Sequence, residues 1–152
     1  MITMRQGLAK RSALLLLVGC LCSGLLTGLA KPWKRHTIDS SSKAAGKLGA
    51  DGVRLADVNG DGLLDITTGW EQGGAIVVYQ NPGPAKARAA WPSVTVGRVV
   101  SPEDAMFIDL DNDGNLDVVS SCEGSARTMY IHWAPPKRAD YWNPSAWRTE
   151  AI

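Results

Sequence analysis

The chain carries one acidic loop twice. Residues 57 to 65 read Asp57-Val-Asn59-Gly-Asp61-Gly62-Leu63-Leu-Asp65. Fifty-two residues later the pattern returns as Asp109-Leu-Asp111-Asn-Asp113-Gly114-Asn115-Leu-Asp117. Oxygen-bearing side chains at positions 1, 3 and 5 of a tight loop suit a hard cation such as calcium. The glycine at position 6 lets the chain curl around the ion. The expected ligands of the first loop are Asp57, Asn59, Asp61, the Leu63 carbonyl and Asp65. Those of the second are Asp109, Asp111, Asp113, the Asn115 carbonyl and Asp117. Two calcium sites are therefore expected. Their role would be structural, because an empty loop would crowd like charges together. The metal-free alternative is an Asx-rich turn that caps a hairpin.

The elements around the loops decide between known loop types. An EF-hand needs a bidentate glutamate at position 12 and a helix on each side. Position 12 is Thr68 in one copy and Ser120 in the other. The flanks are short and apolar: Val53 to Ala56 and Ile66 to Thr68, then Phe107-Ile108 and Val118-Val119. Such runs on both sides of a tight loop predict strand, cation loop, strand, twice.

The repeat extends further. Trp33 to Ile38, Trp91 to Val96 and Trp147 to Ile152 share an aromatic start and an apolar end. Ala75 to Tyr79 and Thr128 to Ile131 supply another strand per unit, each followed by a proline stop. A period of roughly 50 residues points to a solenoid or propeller, and four antiparallel strands per unit make one propeller blade. The expected class is all-β. Two four-stranded antiparallel β-propeller blades span 50–98 and 99–152, after an outer, closing strand and linker over 31–49.

On these loops the two units resemble FG-GAP/VCBS-type repeats, the blades of integrin-like β-propellers in secreted bacterial proteins. The resemblance covers about residues 33 to 152. It rests on Asp57, Asn59, Asp61 and Asp65 and on Asp109, Asp111, Asp113 and Asp117. It implies that each loop joins the two innermost strands of a blade and that the Trp-led segments are outer strands. Trp33 to Ile38 would then complete a ring's last blade. The chain departs from the family in having two blades instead of about seven, and in lacking the FG and GAP tripeptides themselves.

The first 30 residues read as a targeting signal, predicted to be helical. Arg5, Lys10 and Arg11 precede the uncharged stretch Ala13 to Leu29, with a small-residue cleavage site before Lys31. An uncleaved membrane anchor and a lipoprotein signal with Cys20 as the lipidated residue are the alternatives. All three place residues 31 to 152 outside the cytoplasm, where a weak calcium site can fill. After cleavage only Cys122 remains, so no internal disulfide forms. The net charge of +1 gives no reason to expect nucleic acid.

Two blades do not close a ring. The chain ends on a strand-like segment, which implies a fragment of a longer propeller or a subunit that closes a ring by self-association. Its uncovered faces would be drawn from Leu55, Ile66, Phe107, Ile108 and Val118. Glu71 and Glu123 stand at equivalent positions and read as solvated turn residues rather than acid–base groups. The recurring Trp33, Trp91 and Trp147 read as inter-blade core. Trp70, Trp133 and Trp142 are the candidates for a binding surface. Neither His36 nor His132 lies near a catalytic pattern. The functional expectation is an exported, calcium-stabilised scaffold that binds extracellular protein or carbohydrate. The alternative is part of a secreted propeller enzyme acting on sugars, lyase- or dehydratase-like, suggested by the turn Tyr79 to Gly83.

Overall fold

The computed structural model describes residues 33–152; the leader expectation, Cys20 included, lies outside them. Trp33 to Arg35 lie outside the unit that holds the sheets, and these three residues carry no regular structure. That unit, His36 to Ile152, holds two four-stranded antiparallel sheets. The first is built from β1 (Ala50–Ala56), β2 (Asp65–Trp70), β3 (Ala75–Tyr79) and β4 (Ser93–Arg98), in that order. The second repeats the meander with β5 (Pro102–Ile108), β6 (Asp117–Cys122), β7 (Met129–Trp133) and β8 (Arg148–Ala151). The helices among the described residues are two three-residue 3-10 turns, Arg138–Asp140 and Pro144–Ala146. The all-β reading therefore holds.

Side-chain alternation explains how the sheets stack. All five residues of β3 are buried, because both faces of the first sheet are covered. Ile76 and Val78 point into a core shared with the second sheet, together with Val94, Val96, Ala105, Val118 and Cys122. Ala75, Val77 and Tyr79 point the other way and pack with Trp70, Ile66 and Trp91. The strand register shows that stacking is head to tail. Ile66 pairs with Tyr79 as Val118 pairs with His132, so Ile76 and Val78 of the first sheet correspond to Met129 and Ile131 of the second. The face that the first sheet buries against its neighbour is thus the face that the second sheet turns outward.

That outward face is only partly covered. Met106 and Met129 remain 47% and 46% exposed, enough to leave an apolar patch open. Of the five residues expected on open faces, Leu55 and Ile108 are exposed. Val118 is not: it is fully buried between the sheets, and Phe107 and Ile66 pack against the two cores.

Residues 33 to 38 form no strand, which corrects the expected outer, closing strand. A strand needs a ladder of partners; the expected partner was a ring's last blade, and both sheets here already hold four strands of their own. One bond, from the Trp91 amide to the Ile38 carbonyl (2.9 Å), is what ties this stretch to the Trp91 segment. Residues 39 to 49 instead cap the far face of the first sheet. Asp39 accepts from the Tyr79 hydroxyl (2.8 Å) and from Lys47 (2.6 Å). The Glu71 amide donates to the Gly49 carbonyl (2.7 Å).

The tryptophans sort differently from expectation. Trp70 is buried and donates to the Tyr79 hydroxyl (3.1 Å), so it belongs to the core and not to a binding surface. Trp91 and Trp147 pack against the two cores. Trp33 lies outside the unit that holds the sheets and takes no part in this pattern.

Candidate metal centre

Each acidic loop joins the first two strands of its sheet: residues 57–64 link β1 to β2, and 109–116 link β5 to β6. The loop folds itself by capping amides with carboxylates. Asp57 accepts from the amides of Gly60 (2.7 Å), Asp61 (3.1 Å) and Gly62 (2.8 Å). Asp109 accepts from Asp113 (3.1 Å) and Gly114 (3.1 Å). Asn59 and Asp111, at position 3, cap the position 5 amides at 3.0 and 3.2 Å. Asp61 and Asp113 cap the amides of Leu63 and Asn115 at 2.8 and 2.7 Å. The position 6 glycines sit in the left-handed region, at φ 82° for Gly62 and 86° for Gly114. A side chain is strained there, which is why glycine recurs at this position.

Position 9 is built more deeply than its spacing suggests. Asp65 is fully buried and accepts the amides of Val58 (3.0 Å) and Asn81 (2.7 Å). Asp117 is buried likewise and accepts those of Leu110 (3.1 Å) and Ala134 (2.8 Å). Each carboxylate therefore pins the loop to the turn after the third strand. Burial pushes both carboxyls above the ordinary range, the backbone donors oppose that, and the neighbouring loop aspartates add to it. Asp57 is the reverse case. The Gly62 amide leads the backbone donors that hold its carboxyl below the ordinary range.

The donor set fits a hard cation. In the second loop, carboxylate oxygens of Asp109, Asp111 and Asp117 all lie within 4.8 Å of one another. Asp113 is outside that trio and faces the Asn115 amide group, which donates to it at 3.1 Å. In the first loop Asp57, Asn59 and Asp61 lie along one exposed rim, bound to its amides. Oxygen donors without nitrogen or sulfur, on a loop that can reorient them, match calcium better than zinc or copper.

Other polar groups resolve into packing. The Tyr79 to Gly83 turn is held by Asn81, whose side chain donates to the Leu64 carbonyl (3.1 Å) and accepts from the Gly83 amide (3.0 Å). It is a support for the first loop. The ring of His132, which sequence reading left without a role, lies 2.9 Å from the Ser120 and Thr149 hydroxyls on its two sides. His132 and Ser120 are fully buried between the sheets, so the pair packs and does not face a substrate. At the opposite end of the strands Glu71 and Glu123 meet Glu103, with carboxylate oxygens of all three within 4.8 Å. Glu103 was not legible as a member, because its partners come from two sheets. Its carboxyl is pushed up, first by burial and then by the charge of Glu123.

A groove of about 400 Å³ runs beside the second loop, lined by Asp111, Asp113, Trp133, Pro136 and Arg148. The Arg148 guanidinium lies 5.3 Å from the Trp133 ring centre, and Trp133 donates to Glu150 (2.9 Å). Trp142 is half-buried, edge-on to Tyr141 at 5.6 Å.

Residues 57–120, which include both loops and most of β6, match the family model of the FG-GAP-like repeat. No curated protein and no solved structure matches the chain.

Proposed function

We propose that the chain is an exported, calcium-stabilised repeat module of the β-propeller kind, with a binding rather than a catalytic role. The observation that carries the metal reading is the duplicated loop geometry. In both copies the side chains at positions 1, 3 and 5 cap the amides at positions 5, 6 and 7, and three carboxylates of the second converge. Asp57, Asn59, Asp61, Asp65 and the Leu63 carbonyl would hold one ion. Asp109, Asp111, Asp113, Asp117 and the Asn115 carbonyl would hold the other. Calcium supplies the positive charge that lets these carboxylates share a small volume. The protein's own residues fix the loop shape through the amide caps and anchor it through position 9.

The binding role rests on surface rather than chemistry. The groove beside Trp133 offers an indole, a guanidinium and two carboxylates, which suits a hydroxyl-rich ligand such as a saccharide or an extracellular protein loop. The outward face of the second sheet, equivalent to a buried face of the first, suits a further blade or a second copy of the chain. Export rests on the leader-like first 30 residues and on the FG-GAP-like repeat.

Calorimetry with calcium tests the metal reading. Two sites per chain are expected, with magnesium a poor competitor. Asp61→Ala and Asp113→Ala should each remove one site. A folded sample that gives no heat with calcium sinks the reading.

A further inference from the structure

The segment between β7 and β8 touches both acidic loops. Three bonds at its residues 136 to 141 hold it to the second. The Asn115 side-chain amide donates to the Pro136 carbonyl (3.3 Å), the Tyr141 hydroxyl to the Leu116 carbonyl (3.0 Å), and Arg138 Nη2 to the Gly114 carbonyl (3.2 Å). The fourth reaches the first loop: Arg138 Nη1 donates to the Asn59 carbonyl (3.3 Å). Among the described residues, no other side chain hydrogen-bonds to both loops. The two bonds leave from one planar guanidinium, whose donors are fixed relative to each other.

Arg138 is itself held in place. It opens a 3-10 turn closed by the bond from the Tyr141 amide to its own carbonyl (3.2 Å). Tyr141 is buried in the core shared by both sheets, edge-on to Trp147 at 4.8 Å. The Trp147 indole donates to the Tyr141 carbonyl (2.8 Å). A shift of this strap relative to one loop is therefore felt at the other. The carbonyls that Arg138 takes belong to loop positions 3 and 6, whereas position 7 is the expected carbonyl ligand. The guanidinium can hold both loops without occupying that ligand oxygen.

We infer that the strap 136–141 couples the two loops, with Arg138 as the positioning residue that joins them. The inference rests on the calcium reading for its ligand. Filling one loop orders the strap and, through Arg138, the other loop, so the second ion meets a smaller ordering cost. That is positive coupling without a change of fold, and it is reciprocal. Repulsion between the two ions acts the other way, but the loop rims are exposed and the repulsion is screened by salt.

Calcium calorimetry on the full chain gives the first test. Relative to independent sites, the second ion should bind at least about five-fold more tightly. Arg138→Gln should return the sites to independence while keeping two of them. Tyr141→Phe, which removes only the bond to Leu116, should keep most of the coupling. Independent sites in the unaltered chain, or undiminished coupling in Arg138→Gln, overturn the inference. Hydrogen exchange in chelator gives a second test that needs no calcium. Asp113→Ala, confined to the second loop, should speed exchange in residues 57–64, and should add nothing in an Arg138→Gln background. A first loop that ignores Asp113→Ala overturns the coupling. If calcium gives no heat at all, the calcium reading fails and this second test alone decides the coupling.

Discussion

Asp65 and Asp117 each accept two backbone amides, one from their own loop and one from the turn after the third strand. As metal ligands they would act once the ion arrives; as acceptors they act before it. Removing a buried acceptor leaves its donors unpaired, at about 1–3 kcal/mol each. Asp65→Ala should therefore destabilise the metal-free chain by at least that amount. Asp61→Ala, on the exposed rim, should cost within about 0.5 kcal/mol under the same conditions. Urea denaturation in chelator compares them. Equal losses would mean that position 9 has no separate structural role. Calcium should widen the loss for Asp61→Ala, since only then is its carboxylate used against a cation.

His132 on β7 packs against β4, where Gly97 leaves no room for even a methyl group. The contact joins the two sheets, and a neutral imidazole suits it. Burial lowers the pKa of His132 to about 4, against the ordinary 6.5. The unfolded chain thus takes up a proton near pH 6.5 that the folded chain refuses until about pH 4. Stability contributed by this group is full above pH 6.5 and falls as the pH drops between those values. At 1.36 kcal/mol per unit the loss approaches about 3 kcal/mol at pH 4. His132→Gln, which keeps hydrogen-bonding capacity without titrating in this range, should flatten that part of the stability–pH curve. An unchanged slope in thermal melts from pH 7 to 4 would place the titration elsewhere.

At the scale of the whole unit, the two ends differ. The leading face of the first sheet is capped by residues 39 to 49, through Asp39, Lys47 and the backbone around Gly49. The trailing face of the second sheet has no such cap among the described residues and leaves Met106 and Met129 half open. An apolar sheet face of this kind draws a partner. The chain should associate in a concentration-dependent way in sedimentation experiments. Replacing Met106 and Met129 together by lysine should weaken that association while the far-ultraviolet spectrum stays β. Association that is indifferent to the two lysines would assign it to another surface. A discrete ring-sized oligomer would mark assembly through the same head-to-tail contact that joins the two sheets.

The loops, their glycines and the strand order were legible in the sequence because they depend on local chemistry. A left-handed turn needs glycine, a capped amide needs a carboxylate within a few residues, and a strand between two faces reads as the apolar run Ala75 to Tyr79. The repeat spacing carried the outer strands Trp91 to Val96 and Trp147 to Ile152 in the same way, to within a residue or two. What the sequence left open depends on pairs far apart in the chain. Trp33 to Ile38 has the pattern of an outer strand, but a strand forms only beside a blade that lacks one, and both sheets already hold four strands of their own. Trp70 and Trp133 cannot be ranked as core or surface until Tyr79 and Arg148 are placed beside them. Glu103 joins Glu71 and Glu123 only when the sheets stack, and Arg138 meets Asn59 across 79 residues. Composition names the donors and acceptors; only packing decides which of them come within reach of one another.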